Sequence, residues 1–485
     1  MSTEPPTRAG RTRRRRGRVF VGTFAIVVGA LAVVGLAGAA ASVAQGPRVS
    51  SVQVDPDAAA AASGARLIVT TSQSLEEVDA SQVSVTPATP FTVDTSGRGV
   101  GVRFTLPLFD DTEYTVTFRD VRGRGGGPAA TFSQTFRTPQ AQLFLLQRTS
   151  SGDTIFRTDL SGDELMPVYR NDHIEDFRAT SSHLVVSVIA DDASELVVTD
   201  LEGGQERMLP LPGEGYVSNL QSADRGELIG YTFSDADLGD AGGLESALFT
   251  ASLKQSEADA EPTPVAVTGA DGRIAEWRFV PDTDSILLLS FDGSLLLTDS
   301  TGQNSTALGS AIAIEGIARG SSEAIVARFE GMKTIGLSDA GETDLVDADV
   351  DLGIRGAITP VPGGGTVRIG APTDASGIPV GTTVTAVTGE GTTEVLMELP
   401  STDVVVHTCV SPSGRYAAIT VAPDAVANPY DRYRLPLPES LESRIVEIAT
   451  GAARAGKPGV RGEAPADTVV TLSGFDLSWC QVPPG

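Results

Sequence analysis

Short runs of alternating apolar and polar residues, separated by turn-forming residues, fill the chain from residue 48 to about residue 139. A strand places successive side chains on opposite faces, so this alternation predicts half-buried strands. Six or seven such strands within one segment predict a β-sandwich. The runs are Val49–Val54, Arg66–Thr70, Gln82–Thr86, Val100–Phe104, Glu113–Phe118 and Thr131–Phe136.

After Pro139 the strand pattern continues and a short unit recurs. Each unit has an apolar strand, a Thr-Asp or Ser-Asp pair and a turn that ends in glycine. The pairs begin at residues 158, 199, 298 and 338, which gives a period near 40 with one interval that holds two units and an insertion. This period is typical of propeller blades, each a four-stranded sheet. We therefore predict an all-β chain with a sandwich over 48–139 and a β-propeller of about seven blades over 141–485. The copies are Ile155–Gly162, Leu196–Gly203, Leu295–Gly302 and Ile335–Gly341.

Both regions resemble known bacterial families. The turn at residues 85–87, the run Leu108–Val116 and the closing Phe136–Pro139 resemble bacterial Ig-like domains, which are usually spacers or adhesive modules. The Thr-Asp-Leu-x-Gly turns and the segment Ser411–Thr420 resemble the TolB-like propellers of bacterial envelopes. The resemblance implies a spacer that carries a propeller. It implies no single activity, because such propellers serve many.

The two cysteines, Cys409 and Cys480, each begin a Cys-x-x-Pro-x-Gly string that follows a short strand. The second of these strands, Phe475–Trp479, is left over after the last blade. In a closed propeller it would pair into the first blade, whose strands begin at Gln142, and would join the two ends of the ring. We expect a disulfide between the cysteines that fixes this closing strand. Free thiols are the alternative, because neighbouring inner strands can hold Cα atoms beyond the limit of ~7 Å.

Residues 1–18 contain seven arginines and precede an uncharged, apolar segment of 26 residues, 19–44. A helix of that length can cross the hydrocarbon core of a bilayer, which is about 30 Å thick. The basic segment should then stay cytoplasmic, with a single-pass anchor in the cell membrane and an extracytoplasmic body. The small residues Ser42–Ala44 also fit a signal-peptidase site, so cleavage after Ala44 and secretion is the alternative.

The net charge of −26 argues against a nucleic-acid partner, because an acidic surface repels phosphate. With 53 glycines, 29 prolines and 41% hydrophobic residues, the body is globular and rich in turns. Nothing in the sequence indicates an oligomeric state.

The search for catalytic and cofactor motifs gives no match to a zinc-protease helix, a nucleophile elbow, a phosphate-binding loop or a dinucleotide fingerprint. We therefore predict no catalytic residue and no cofactor. His407, close to Cys409 on a predicted inner strand, is interpreted as a packing residue. The acidic loops Asp235–Asp240 and Asp347–Asp351 carry alternating carboxylates that suit calcium. Neither continues as an EF-hand loop, so we interpret both as solvated loops.

One insertion, Asn428–Glu439, brings two tyrosines and two arginines onto a single loop. Tyrosine and arginine are favoured at interface hot spots, and loops on a rigid scaffold commonly carry binding sites. A long hairpin that packs on its own blade is the alternative. The candidate partner-binding residues are Tyr430, Arg432, Tyr433 and Arg434.

Two function hypotheses follow. The first is a non-enzymatic platform of the cell envelope that binds another protein or a wall polymer through propeller loops. The second is an extracellular hydrolase or lyase with its site on the central face of the propeller. A central channel with acids, arginines, a histidine and a pocket would favour the enzyme. A channel filled by apolar side chains would favour the platform.

Overall fold

The structure is a computed structural model that describes residues 23–34, 46–223, 227–239, 242–448 and 468–484. The chain divides into two compact units. Segments 56–65 and 104–113 lie within the predicted sandwich but group with the larger unit. The smaller unit comprises Met1–Asp55, Arg66–Arg103 and Tyr114–Phe136, and the larger one Pro56–Ala65, Phe104–Glu113 and Arg137–Gly485.

The predicted membrane segment contains one described helix, α1, at residues 23–34. Among the residues that the structure describes, no helix is both long and apolar enough to cross a membrane. The predicted single-pass anchor, and the cell-membrane localisation that depended on it, are therefore wrong. Residues 1–22 and 35–45, which include the basic segment and the candidate cleavage site, lie outside the described residues.

The smaller unit contains two antiparallel sheets, with strand orders β1-β2-β5-β4 and β3-β6-β7. Alternation along β6 buries Tyr114, Val116 and Phe118 and leaves the residues between them accessible, as the sequence pattern predicts. The sequence analysis missed β4, an edge strand whose FTVDTS sequence has no buried residue. The Ig-like assignment still rests on the sequence resemblance. The strands are β1 (Val49–Gln53), β2 (Arg66–Thr71), β3 (Val83–Thr86), β4 (Phe91–Ser96), β5 (Gly99–Phe104), β6 (Glu113–Val121) and β7 (Ala130–Arg137); helix α2 (Pro56–Ala61) and a 3-10 turn (Ala80–Gln82) precede β2 and β3.

The larger unit is a β-propeller made of seven successive antiparallel sheets, as predicted. Sheet 1 has three strands and sheets 2 to 7 have four each, paired in chain order. From sheet 2 to sheet 7, the first strand of each sheet contacts the first strand of the next. Sheets 1 to 3 comprise β8 (Leu143–Gln147), β9 (Asp153–Thr158), β10 (Met166–Asn171); β11 (Ile174–Ala179), β12 (His183–Ala190), β13 (Ala193–Asp200), β14 (Arg207–Leu209); β15 (Gly215–Ser222), β16 (Leu228–Asp235), β17 (Ala247–Ser252), β18 (Thr263–Pro264).

In sheets 2 to 7 the second strand is the most apolar, and in sheet 1 the most apolar strand is β8, because both faces of these strands are covered. Strand β20, for example, is buried at all five positions. These are the apolar strands that precede the repeated turns in the sequence. Sheets 4 to 7 comprise β19 (Ile274–Phe279), β20 (Ile286–Ser290), β21 (Ser294–Thr298), β22 (Thr306–Ser310); β23 (Ala313–Ile317), β24 (Glu323–Arg328), β25 (Gly331–Gly336), β26 (Glu342–Asp344); β27 (Ile354–Pro360), β28 (Thr366–Ala371), β29 (Gly381–Val387), β30 (Thr393–Pro400); β31 (Val404–Val410), β32 (Tyr416–Ala422), β33 (Glu442–Glu447), β34 (Thr468–Ser473).

The recurrent Thr-Asp turns connect the last two strands of their sheets. Asp159, Asp200 and Asp299 each accept a hydrogen bond from the backbone N–H two residues later, at 2.8, 3.1 and 3.0 Å. Hydrogen bonds within each turn hold the pKa of these three carboxyls below the usual range. The aspartate of the motif is therefore a turn-capping residue.

In two of the turns, the glycine at the end packs against the preceding sheet. Gly203 has φ +80°, and a Cβ added there would fall on the carbonyl oxygen of Val168 in sheet 1. Gly302 has φ +76°, and a Cβ added there would fall on the backbone of Ala266, which follows sheet 3. Only glycine accepts both the conformation and the contact. The repeated motif thus marks the contact between one blade and the next.

Candidate functional site

A closing segment, residues 475–480, joins the two ends of the ring. The Phe475 and Leu146 backbones exchange two hydrogen bonds at 2.9 and 3.0 Å, which adds the segment to the free edge of sheet 1. The predicted disulfide is present: Cys480 is bonded to Cys409 on β31, with Cα atoms 5.2 Å apart. This distance is within the range that a disulfide spans. The segment therefore closes the ring and is linked covalently to sheet 7.

The first strands of sheets 2 to 7, called the inner strands below, share one irregularity. Each loses register with its second strand at a single place, which is the signature of a β-bulge. Polar side chains, including Asp176, Glu276, Glu315 and His407, lie at or beside these places. The breaks fall between Ile174 and Asp176, Ser218 and Gln221, Ile274 and Glu276, Ile314 and Gly316, Arg355 and Ile358, and Val405 and His407.

Two inner strands carry the same triplet of acid, aromatic residue and arginine, Asp176–Arg178 and Glu276–Arg278. Arg178 Nε donates to the carbonyl of Leu220 at 2.7 Å, and Arg278 donates to the carbonyl of Ile314 at 3.1 Å. In both cases the acceptor lies on the inner strand of the next sheet. This repeat was missed in the sequence analysis, although the two triplets are visible in the sequence.

Other inner-strand side chains connect neighbouring sheets in the same way. The Gln221 amide donates to the carbonyl of Trp277 at 2.7 Å. In the opposite sense, Glu276 accepts from the backbone N–H of Ile314 at 3.0 Å, and Glu315 from that of Ile358 at 2.9 Å. Polar groups that are buried between blades need such partners. These residues therefore hold the ring together.

The closing segment joins this network through Asp476. Arg178 donates to both of its carboxylate oxygens at 2.8 and 2.9 Å, and it also pairs with Asp176 at 3.1 Å. All three side chains are buried. Burial raises the pKa of Asp176 well above its usual range, against the opposing effect of the Arg178 charge. The guanidinium thus connects sheet 2 to the closing segment by a buried ion pair.

A cavity of about 600 Å³ lies among the inner strands of sheets 4 to 7 and the residues after Cys480. Its wall combines charged side chains with many apolar ones. Burial raises the pKa of Glu315 in this wall. The polar lining residues include Asn219, Glu276, Arg278, Glu315, Arg319, Thr359, Thr408, His407 and Gln481.

His407 lies in the wall of this cavity. Burial lowers its pKa to about 4, so the imidazole is neutral at pH 7. Its Nδ1 is buried and has no hydrogen-bond partner among the described residues. The hydroxyls of Thr359 and Thr408, which also line the cavity, are 3.0 Å apart and contact each other. The cavity is polar, as expected for an enzyme, but Glu276, Glu315 and Arg278 already make bonds between sheets.

The loop Asn428–Glu439, which carries the four candidate partner-binding residues, folds onto sheets 1 to 3. The Tyr433 hydroxyl donates to Asp153 of sheet 1 at 2.6 Å, and the Arg148 guanidinium lies 3.8 Å from its ring centroid. Arg434 stacks on Tyr216 of sheet 3 at 3.3 Å. Tyr433 and Arg434 are therefore engaged within the chain.

The other two candidates of this loop, Tyr430 and Arg432, are exposed. Their role in partner binding remains a prediction. The interpretation of the loop as a hairpin on its own blade does not describe the contacts of Tyr433 and Arg434, which are with other sheets.

The acidic loops show turn contacts. Asp235 accepts from the backbone N–H of Leu244 at 2.7 Å, and Asp240 lies outside the described residues. Asp349 accepts from the Thr393 hydroxyl at 2.6 Å, and Asp351 from the backbone N–H of Gly353 at 2.8 Å. In the described part of the chain, no group of three or more His, Cys, Asp or Glu residues is arranged to hold a metal ion.

The strand order gives the ring two ends. With the closing segment counted as the first strand of sheet 1, the chain passes at the turn end from the first to the second strand of a sheet and from the third to the fourth. At the hairpin end, it passes from the second to the third strand and on to the next sheet. Large apolar side chains are exposed at the hairpin end from sheet 3 to sheet 7. They are Leu238, Phe291, Ile312, Phe329, Val346, Val350, Ile354, Ile378, Val380, Val404, Val426, Tyr430 and Leu435.

Comparisons with known proteins give only distant structural similarities. No protein-family model matches the sequence, and no curated protein matches it at a significant level. An oligogalacturonate lyase from Vibrio parahaemolyticus is 10% identical, with a TM-score of 0.43, over 57% of this chain and 87% of that one. A β-propeller domain from Myceliophteria thermophila is 12% identical, with a TM-score of 0.39, over 63% and 87%.

A protein of unknown function from Bacteroides thetaiotaomicron is 10% identical, with a TM-score of 0.36, and the match covers 77% of this chain and 94% of that one. The similar structures are β-propeller-like. At such identities they assign no activity to this chain.

Proposed function

We propose that the chain is a non-enzymatic binding platform, in which the closed propeller presents the loops of its hairpin end to another protein. One observation carries the proposal. Exposed apolar side chains are concentrated at this end over five consecutive sheets, and Phe329 and Val426 are 92% and 95% exposed. An apolar patch on a soluble surface commonly marks an interaction site.

The central network supports this proposal, because a platform needs a rigid frame. Arg178, Gln221 and Arg278 are all committed to bonds between neighbouring sheets. The disulfide and the Arg178–Asp476 ion pair hold the closing segment from both sides. The smaller unit, which we take to be an Ig-like module on its sequence resemblance, would serve as a spacer.

Site-specific photo-cross-linking tests the proposal. A benzoyl-phenylalanine replaces Phe329 at the hairpin end in one version of the full chain and Met208, 46% exposed on β14, in a matched version. Irradiation in the producing cells should give a discrete protein adduct at position 329 and none at position 208. Equal labelling at both positions, or at neither, would contradict the proposal. A wall polymer as partner would appear as a heterogeneous adduct at position 329.

A hydrolase or lyase is the second candidate, and the central cavity is the observation that favours it. Neutral His407 lines this cavity together with Glu276 and Glu315. Activity of the purified chain on a panel of glycans and peptides, lost in His407→Ala and in Glu315→Gln, would support the enzyme. Activity that both variants retain would place the chemistry elsewhere.

A further inference from the structure

The exposed apolar side chains of the hairpin end alternate with carboxylates. Phe291 is followed by Asp292 and Phe329 by Glu330, and all four residues are exposed. In sheet 6, Asp374 lies in the same hairpin as Ile378 and Val380, and in sheet 7, Asp424 lies two residues before Val426. Each of four consecutive sheets therefore presents an apolar group with an acid beside it.

Backbone contacts make this surface continuous from sheet 4 to sheet 5. The link between these sheets runs between their two hairpins: Ala311 N–H donates to the carbonyl of Gly293 at 2.9 Å, and Ile312 N–H donates to that of Ala327 at 2.8 Å. The exposed side chain of Ile312 therefore lies between the hairpins that carry Phe291 and Phe329.

The same arrangement recurs in sheet 6, where Ile354 pairs with Ala371 at the base of the hairpin that carries Ile378. Val380 N–H closes this hairpin by donating to the carbonyl of Pro372 at 2.9 Å. The surface formed by Phe291, Ile312, Phe329, Ile354, Ile378 and Val380 is called the apolar arc below.

Cations also lie close to the arc, among them the exposed Arg355 beside Ile354, but Arg273 and Arg328, beside its phenylalanines, are paired with acids. Arg273 lies next to Phe291, but its guanidinium is paired with Asp271 at 2.7 Å and with Glu245 at 3.2 Å. Glu330 forms no ion pair with any of the described residues, and it is exposed at the tip of its hairpin. The acids of the arc therefore favour a positively charged partner and disfavour phosphate backbones.

We propose, resting on the binding function above, that the apolar arc receives a basic amphipathic segment of another protein, in which apolar side chains alternate with arginines or lysines. The apolar side chains of the partner would cover Phe291, Phe329 and Ile378, and its cations would face Asp292, Glu330 and Asp374. A second copy of this chain fits poorly as the occupant, because each copy carries a net charge of −26.

Three synthetic peptides of equal length test the partner class. One has an Arg/Leu amphipathic pattern, one replaces Arg by Glu, and one replaces Leu by Ser. Fluorescence anisotropy with the full chain should show binding of the Arg/Leu peptide and at least tenfold weaker binding of the other two. Equal affinity for all three, or preference for the Glu/Leu peptide, would overturn the proposal.

Matched variants locate the binding. Phe329→Ser combined with Ile378→Ser should lower the affinity for the Arg/Leu peptide at least tenfold. Leu165→Ser combined with Met208→Ser, at exposed positions away from the hairpin end, should change its affinity less than twofold. Glu330→Gln combined with Asp374→Asn should reduce the dependence of affinity on salt. Circular dichroism confirms folding of each variant, and equal losses in both pairs of serine variants would overturn the proposal.

The failure of the partner class and the failure of the binding function give different results. If position 329 still forms its adduct in cells but the chain binds the three peptides equally, the basic amphipathic partner class is wrong and the binding function stands. If position 329 forms no adduct and the serine variants at the arc change nothing, both are wrong.

Discussion

The two ends of the propeller differ in how they use their side chains. At the turn end, Gly203 and Gly302 let one sheet abut the backbone of its neighbour, and aspartates such as Asp299 cap the turns. At the hairpin end, Phe329 and Val426 are almost fully exposed. One end serves assembly of the ring, and the other presents apolar groups to solvent.

This difference indicates where substitutions should change stability and where they should change binding. Contacts at the turn end and among the inner strands are shared between sheets, so their loss should affect the whole ring. The exposed groups at the hairpin end make few contacts, so their loss should leave the free energy of unfolding unchanged.

Removing the disulfide should have the largest effect on stability. Cys409 and Cys480 are 71 residues apart in sequence, and closing such a loop contributes about 4 kcal/mol in the chain-entropy model. Cys409→Ala combined with Cys480→Ala should lose about this amount in urea unfolding. Wild-type protein unfolded with a reductant should match the variant. A loss below about 1 kcal/mol would show that the buried ion pair and the backbone hydrogen bonds to Leu146 close the ring without the disulfide.

A glycine pair then compares the two ends directly. Gly203→Ala puts a Cβ on the Val168 carbonyl at φ +80°, and we expect a loss of about 3 kcal/mol from strain and overlap. Gly213→Ala is the matched control on the link between sheets 2 and 3, where a Cβ meets no atom within 4 Å. The control should change the unfolding free energy by less than about 1 kcal/mol. Equal urea midpoints for both variants would mean that the contact of Gly203 with the neighbouring sheet does not stabilise the turn end.

The inner strands give a pH-dependent prediction. Burial lowers the pKa of His407 from 6.5 to about 4, so the unfolded chain binds this proton more readily than the folded chain. The folded state therefore loses stability as pH falls from about 6.5 to about 4, by about 2 to 3 kcal/mol at pH 4.5 relative to pH 7.

His407→Gln removes the titrating group and tests this sign. The difference in unfolding free energy between pH 7 and pH 4.5 should be about 2 to 3 kcal/mol smaller in the variant than in wild type. Identical pH profiles would mean that the imidazole is solvated in the folded state.

The sequence predicted the ring because its determinants are local and repeated. The Thr-Asp pairs at 158 and 298 mark the same turn in two sheets, and the strings that begin at Cys409 and Cys480 mark equivalent inner strands. Both features depend on backbone geometry, which repeats with the fold. The apolar segment 19–44 also has a clear pattern, but no helix among the described residues is long and apolar enough to cross a membrane.

The candidate site was harder to predict, because it depends on which strands become neighbours. The sequence analysis placed Tyr433 on an inserted loop as a candidate for partner binding. Its hydroxyl instead donates a hydrogen bond to Asp153, which is 280 residues away in sequence. The roles of Arg178 and Arg278 likewise depend on carbonyls of the next sheet. The two triplets repeat visibly in the sequence, but the sequence does not show which carbonyls their arginines meet.

The smallest expected effect on stability is at the hairpin end. Phe329→Ser exchanges a side chain that is 92% exposed, so the free energy of unfolding should change by less than about 0.5 kcal/mol. Phe279→Ser, at a position on β19 that is only 6% exposed, is the buried control and should lose several times more. Binding of an apolar fluorescent dye to the folded protein should fall in Phe329→Ser. A large loss of stability there would mean that Phe329 supports its own hairpin, and the apolar arc would then belong to the frame of the ring and not to a binding surface.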